Sequence, residues 1–417
     1  MISLVRRLDS IHRSRLFLIV LLVVVCGVVS LLIRFGEPLF YPEVTELSSS
    51  SWSADAYAGY LTDLAKRKGA VYAFAVLYKA SFPFGIDTHV LGHRIGYVLY
   101  DERGSEAIRY CTETYRDDAC VHAVVIQEYV TQGRAALTTL AAACESIPRG
   151  TSGYADCFHG IGHGILAYLE YDYETTIVEC KAVGEAATGA DPMTDHQAQF
   201  VWKQCVDGAT MELMQGLHDQ EAWSKAIPTY MPEDDLRMPC NASYVPAEVR
   251  GSCYIYVRPR MLRAAGIAAD EYTFDQKKYT KALAYCEMIP EELDRKTCYG
   301  GFGMQFVYSV NGNDNRTFGE LSLPALTTVH ELCALASFEG RSACIATAAE
   351  TILGRSRDVE TVSTFCGLTE DAVLQDRCYT AAIGLIKQYV PNATVYPFCA
   401  IVPHTYWLLC QEALNSP

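Results

Sequence analysis

Sixteen cysteines between Cys111 and Cys410 recur in a rhythm that constrains this chain more than any other feature. Short gaps alternate with longer ones, and a similar apolar segment follows the second cysteine of each short gap. These segments read CVHAVVIQEYV at Cys120, CFHGIGHGILAY at Cys157, CVDGATMELM at Cys205 and CYIYVRPRML at Cys253. They continue as CYGGFGMQFVY at Cys298, CIATAAETIL at Cys344 and CYTAAIGLIKQYV at Cys378. A second helical stretch follows each and runs into the next cysteine. The unit is therefore two helices, A after one cysteine and B before the next, repeated about seven times. The segment around His89 is a degenerate first copy, with Asp87 at the cysteine's place. Such units bury their faces only against neighbours, which predicts an all-α solenoid or a closed helical toroid. Abundant alanine, leucine and glutamate, without a sustained alternating pattern, agrees with helix.

The same rhythm suggests the disulfides. Joining the end of one helix B to the next helix A pairs Cys111 with Cys120, Cys144 with Cys157, Cys180 with Cys205 and Cys240 with Cys253. It goes on to pair Cys286 with Cys298, Cys333 with Cys344, Cys366 with Cys378 and Cys399 with Cys410. Tying the two ends of each hairpin, Cys120 to Cys144 and onward, strands Cys111 and Cys410, so parity favours the first scheme. Each closed loop contributes on the order of 2–4 kcal/mol by restricting the unfolded chain.

Ahead of the repeats stands Leu16 to Ile33, an uncharged apolar run long enough to cross a bilayer core of ~30 Å. It exceeds the apolar core of a cleaved signal peptide, which is ~7–15 residues. Arg6, Arg7, Arg13 and Arg15 precede it, so residues 1–15 read as a cytoplasmic tail and everything after the anchor as extracytoplasmic (periplasmic, extracellular or lumenal). Seventeen cysteines without one C-x-x-C pair fit an oxidising compartment, and the sequons at Asn241, Asn315 and Asn392 fit a glycoprotein. Residues 34–52, with Pro38, Pro42 and Ser48 to Ser51, read as a linker. Residues 53–417 form the repeat domain, opening with a helix capped by Ser53 that runs to about Ser81 before Pro83. The formal charge is −15, of which residues 1–15 contribute +3, leaving −18 beyond them. That balance argues against nucleic acid as a partner, and leaves the anchor as the contact with the membrane.

Aligned on the cysteine register, the histidines gather. Two places after the register point come His89, His122 and His159, then Asp207; six places after it come His93 and His163, then Met211. Residues four apart share a helix face, with Cβ atoms roughly 6 Å apart, and equivalent positions of stacked repeats lie side by side. His89, His93, His122, His159 and His163, with Asp207 at the end, therefore make one stripe suited to a transition metal ion. Core packing of satisfied histidines is the alternative, and the repeated pairs in register favour the metal. Neutral imidazole with a carboxylate suits zinc, iron(II) or copper(II). No H-E-x-x-H and no C-x-x-C-H occurs, which sets aside the common metalloprotease arrangement and covalent haem but not bis-histidine haem. Glu128 and Glu212, on the same helices, are the candidate catalytic bases.

His196 reads as a lid residue or simply exposed, and His12, His218, His330 and His404 as exposed. Gly92, Gly160, Gly162 and Gly164 read as close-packing positions. In the later repeats Tyr254, Tyr256, Tyr299, Phe302, Phe306, Tyr308 and Tyr379 read as core, or as a protein- or glycan-binding groove. Three classes of function stay open. They are a metal-dependent enzyme, a non-catalytic metal or haem carrier, and an interaction scaffold with packed histidines.

Overall fold

The computed structural model describes residues 41–83, 86, 88–114, 119–216, 218–267, 274–311, 321–390 and 399–415. Every regular element among them is helical. No helix among them is long and apolar enough to cross a membrane. The run from Leu16 to Ile33 lies outside the described residues, as do Asp87, His12 and the sequons at Asn315 and Asn392. Asn241 is exposed, its amide donating to Asp235 Oδ2 at 2.9 Å.

Among the described residues, three helices precede the repeats: α1 (Pro42–Ser49), α2 (Ala54–Lys68) and α3 (Ala70–Lys79). Two expectations change here. Within the stretch read as a linker, α1 is an ordered helix with Pro42 in its first turn and Leu47 fully buried. The helix expected from Ser53 to Ser81 is two helices. Ser53 does cap α2, accepting from the Ala56 amide, but Gly69 at φ 90° turns the chain before α3. Only glycine takes that conformation without strain.

The A helices then follow as a row: α4 (Thr88–Arg103), α6 (Ala119–Gln132), α8 (Ser152–Tyr168), α10 (His196–Gln215), α12 (Ala247–Tyr254), α15 (Glu292–Asn311), α17 (Phe338–Ser356) and α19 (Ala372–Gly384). Each packs on the next along the row. The B helices form an outer layer: α5 (Ala107–Thr114), α7 (Ala136–Glu145), α9 (Tyr173–Thr188), α11 (Gln220–Tyr230), α14 (Gln276–Ala284), α16 (Leu323–Cys333) and α18 (Val359–Gly367). The fifth copy is irregular, since α12 stops at Tyr254 and a short α13 (Arg258–Ala264) restarts with Pro259 in its first turn. Two further helices, α20 (Ile386–Tyr389) and α21 (Trp407–Asn415), end the described chain.

All eight disulfides join neighbouring cysteines in the short-loop scheme, from Cys111–Cys120 to Cys399–Cys410. They differ from the expected picture in where they sit. The A helices begin before their cysteines, because Thr151, Asp195 and Ser337 cap them upstream through side-chain oxygens. Cys157, Cys205 and Cys344 therefore lie inside their helices, and each bond rivets an outer helix to the middle of the next inner one. For the same reason the segment between Cys180 and Cys205 is no long lid. Helix α9 runs to Thr188 and α10 starts at His196, which is exposed in the first turn.

Tyr254, Tyr299, Phe302, Phe306 and Tyr379 are buried core side chains. Of the seven later aromatics Tyr256 and Tyr308 are partly exposed.

Candidate metal centre

Helices α8 and α10 touch backbone to backbone. A Cβ placed on Gly162 would stand 1.9 Å from the Cys205 carbonyl oxygen, and one on Gly208 would stand 1.8 Å from the His159 carbonyl oxygen. No side chain larger than hydrogen fits at either position. The glycines expected to serve packing do so, and Gly208 joins them. The consequence lies one helical turn on, where His163 of α8 meets Glu212 of α10, Nδ1 to Oε2, at 3.0 Å.

Around that contact the register prediction is realised in space. His89 and His93 stand on α4, with their Nε2 atoms 3.0 Å apart. His159 and His163 repeat the pair on α8 at 3.2 Å. His122 of α6 lies between them, its ring centroid 5.2 Å from His89, 5.6 Å from His93 and His159, and 4.2 Å from His163. Two nitrogens bound tetrahedrally at ~2.0–2.1 Å from one ion stand roughly 3.3 Å apart, so the observed pairs are close to a ligating separation.

Two members depart from expectation. Asp207, placed in the stripe by register, belongs to none of the close donor groupings. It bonds Ser252 instead, and burial pushes its carboxyl up to about 8. His218, expected on the surface, is in the cluster with 8 % of its side chain exposed. Its Nδ1 lies 2.6 Å from Glu212 Oε2, and its ring is 4.9 Å from that of His93. It falls outside the register because it lies past the end of α10. A signal was present in Gly216, which ends α10 at φ 63°, and in Asp219, which caps α11 through its side chain. A left-handed C-cap followed at once by an N-cap folds the intervening residues back onto the helix.

Glu212, weighed as a base, is instead the hub. It accepts from Tyr171 Oη, from the His218 amide and from both imidazoles, and Tyr171 Oη in turn accepts from the Asp219 amide. Glu128 lies apart, held by Tyr100 and Gln132 at 2.6 and 2.7 Å. His404 is exposed as expected, whereas His330 is half-buried and remote from the cluster in sequence.

The electrostatics suit neutral imidazole. Burial, then repulsion among neighbouring histidines, holds His93, His122 and His159 well below their ordinary value of 6.5. Burial also lowers His163, with Glu212 opposing. Burial alone would raise Glu212, but hydrogen bonds from His163 and His218 outweigh it and keep the carboxylate ionised far into acid. Metal ligation requires those protonation states.

The cluster also fits a metal by what it leaves unsatisfied. His93 Nδ1, both nitrogens of His122 and His218 Nε2 are buried without a hydrogen-bond partner. A buried polar atom left unpaired costs about 1–3 kcal/mol, and a bound cation is a partner for lone pairs that no neighbouring side chain supplies. Among the described residues, three groupings have donor atoms within 4.8 Å of one another: His89, His93 and His122; His122, His159 and His163; and His163, Glu212 and His218.

Comparison with protein-family models, curated proteins and solved structures finds no match to this chain, so the site is read from its own chemistry.

Proposed function

We propose that this chain is an extracytoplasmic metalloenzyme, held to its membrane by Leu16–Ile33, with a transition ion in the histidine–glutamate centre. The observation that carries the reading is the convergence of six imidazoles and one carboxylate from α4, α6, α8, α10 and the turn after it. Nitrogen donors with one carboxylate suit zinc, iron(II) or copper(II). Each donor grouping supplies three protein ligands, and a three-ligand site keeps a position for water or substrate, as catalytic zinc sites do. Such an ion lowers the pKa of bound water or polarises a substrate oxygen. Tyr171 and the Asp219 amide hold Glu212 in place behind it. A haem between paired histidines is disfavoured, because the rings within each pair touch nitrogen to nitrogen and leave no slot for a flat macrocycle.

A second reading, metal storage or electron transfer, draws on the burial of His122 and His163, at 1 % and 0 % exposure. Elemental analysis of purified full-length protein tests both readings against a scaffold with packed histidines. Metal content should be substantial in wild type, reduced in His163→Ala and unchanged in His404→Ala. A metal-free wild type that takes up no added Zn2+ would sink both readings. Azide added to the Co2+-loaded protein separates them, since an open coordination position shifts the visible spectrum and a closed one does not.

A further inference from the structure

Seven donor residues are too many for one ion. A tetrahedral site takes four ligands, and the donors here fall into groupings that are not all mutually exclusive. His89, His93 and His122 form one; His163, Glu212 and His218 form another; and the two share no residue. Resting on the metal reading above, we propose that the centre binds two transition-metal ions at once, one in each of these sets.

The partition follows from which atoms face which. His163 turns Nδ1 toward Glu212 at 3.0 Å and Nε2 toward His159 at 3.2 Å, so its ring faces the second set through one edge only. His159 belongs to neither set. Glu212 Oε2 accepts from Nδ1 of both His163 and His218, and an ion bound there would take the place of those two protons, which focuses the three donors on one point. On the other side His89 and His93 meet at 3.0 Å, and His122 brings two buried, unpartnered nitrogens to them. His218 also keeps a buried Nε2 without a hydrogen-bond partner, on the ring edge turned away from Glu212. The sets share a wall, with the His93 and His218 rings 4.9 Å apart and the His122 and His163 rings 4.2 Å apart. The ligand types differ across it, three nitrogens on one side and two nitrogens with a carboxylate oxygen on the other. The second set should thus favour the harder ion when two metals compete.

The test is the stoichiometry of Zn2+ on the full-length protein after chelation and reloading. Two equivalents are expected for wild type, and this count does not depend on any variant folding. One equivalent would overturn the two-ion inference while leaving a metal centre in place. None would remove the metal reading itself, and three would overturn the partition. The paired variants then assign the sets. His89→Ala with His93→Ala should keep one equivalent, and Glu212→Gln with His218→Ala should keep the other. Loss of both equivalents from either pair, in protein whose helical circular dichroism is unchanged, would overturn the assignment of independent sets.

Discussion

Replacing Gly208 by alanine should disable the centre without touching a ligand. The new Cβ would stand 1.8 Å from the His159 carbonyl oxygen and 2.7 Å from its carbon, both backbone atoms that no rotamer change can move. Relief requires α8 and α10 to part by roughly 1.5 Å to reach ordinary van der Waals separation. The His163–Glu212 contact, now 3.0 Å, bridges these same helices one turn further on and would open with them. Metal sites tolerate ligand displacements of only about 0.2 Å. Affinity for Zn2+ should therefore fall by at least ~10–100-fold, the range seen when the supports of a metal site are disturbed. Overpacking should also cost about 1–3 kcal/mol of stability. Equilibrium dialysis and urea unfolding measure the two effects. Gly59→Ala is the control of opposite sign. It lies inside α2 with nothing near its Cβ, and should gain up to about 1 kcal/mol while leaving metal content unchanged. Wild-type zinc affinity and stability in Gly208→Ala would refute the claim that this backbone contact sets the geometry of the centre.

Other consequences can be checked alongside. Metal-free protein should lose stability as pH falls below 6.5. His93, His122 and His159 are held below that value in the fold, so the unfolded chain takes up protons that the native state refuses. Each such histidine contributes up to about 1.4 kcal/mol per pH unit, and urea midpoints that stay flat from pH 7.5 to 5.5 would contradict this. Asp207 behaves oppositely, because its carboxyl is raised to about 8. Its stabilising contribution is complete below the ordinary value of 3.8 and is lost as pH rises through about 8. Asp207→Asn should thus be more stable than wild type at pH 8 while loading metal normally, and loss of metal would restore Asp207 as a ligand. Opening the Cys180–Cys205 bond by paired serine substitutions releases a loop with a separation of 25 residues. That should cost ~3–4 kcal/mol in denaturant unfolding, and no change would undercut the rivet between α9 and α10. Non-reducing peptide mapping should recover the short-loop pairs, and a Cys120–Cys144 peptide would overturn the pairing.

The sequence by itself determined the period. Cysteine spacing and apolar segments are local and repeat, so they fixed a row of helical hairpins and the pairing of neighbouring cysteines. The same register placed His89, His93, His122, His159 and His163 on one stripe, because equivalent positions of stacked helices must lie side by side. Three matters were decided only in three dimensions. Helix starts moved upstream because a single capping oxygen at Thr151 or Asp195 outweighs the register of the cysteine. Asp207 shares the histidines' register yet bonds Ser252, while its neighbour Gly208 is the α10 position pressed against the His159 backbone. Glu212, one turn past Gly208, meets His163 across that contact. His218 entered from outside the repeat altogether, carried by the left-handed turn at Gly216. A pattern of spacing describes what every copy shares. The carboxylate and the sixth imidazole come from what one copy does differently, and only packing shows where those side chains point.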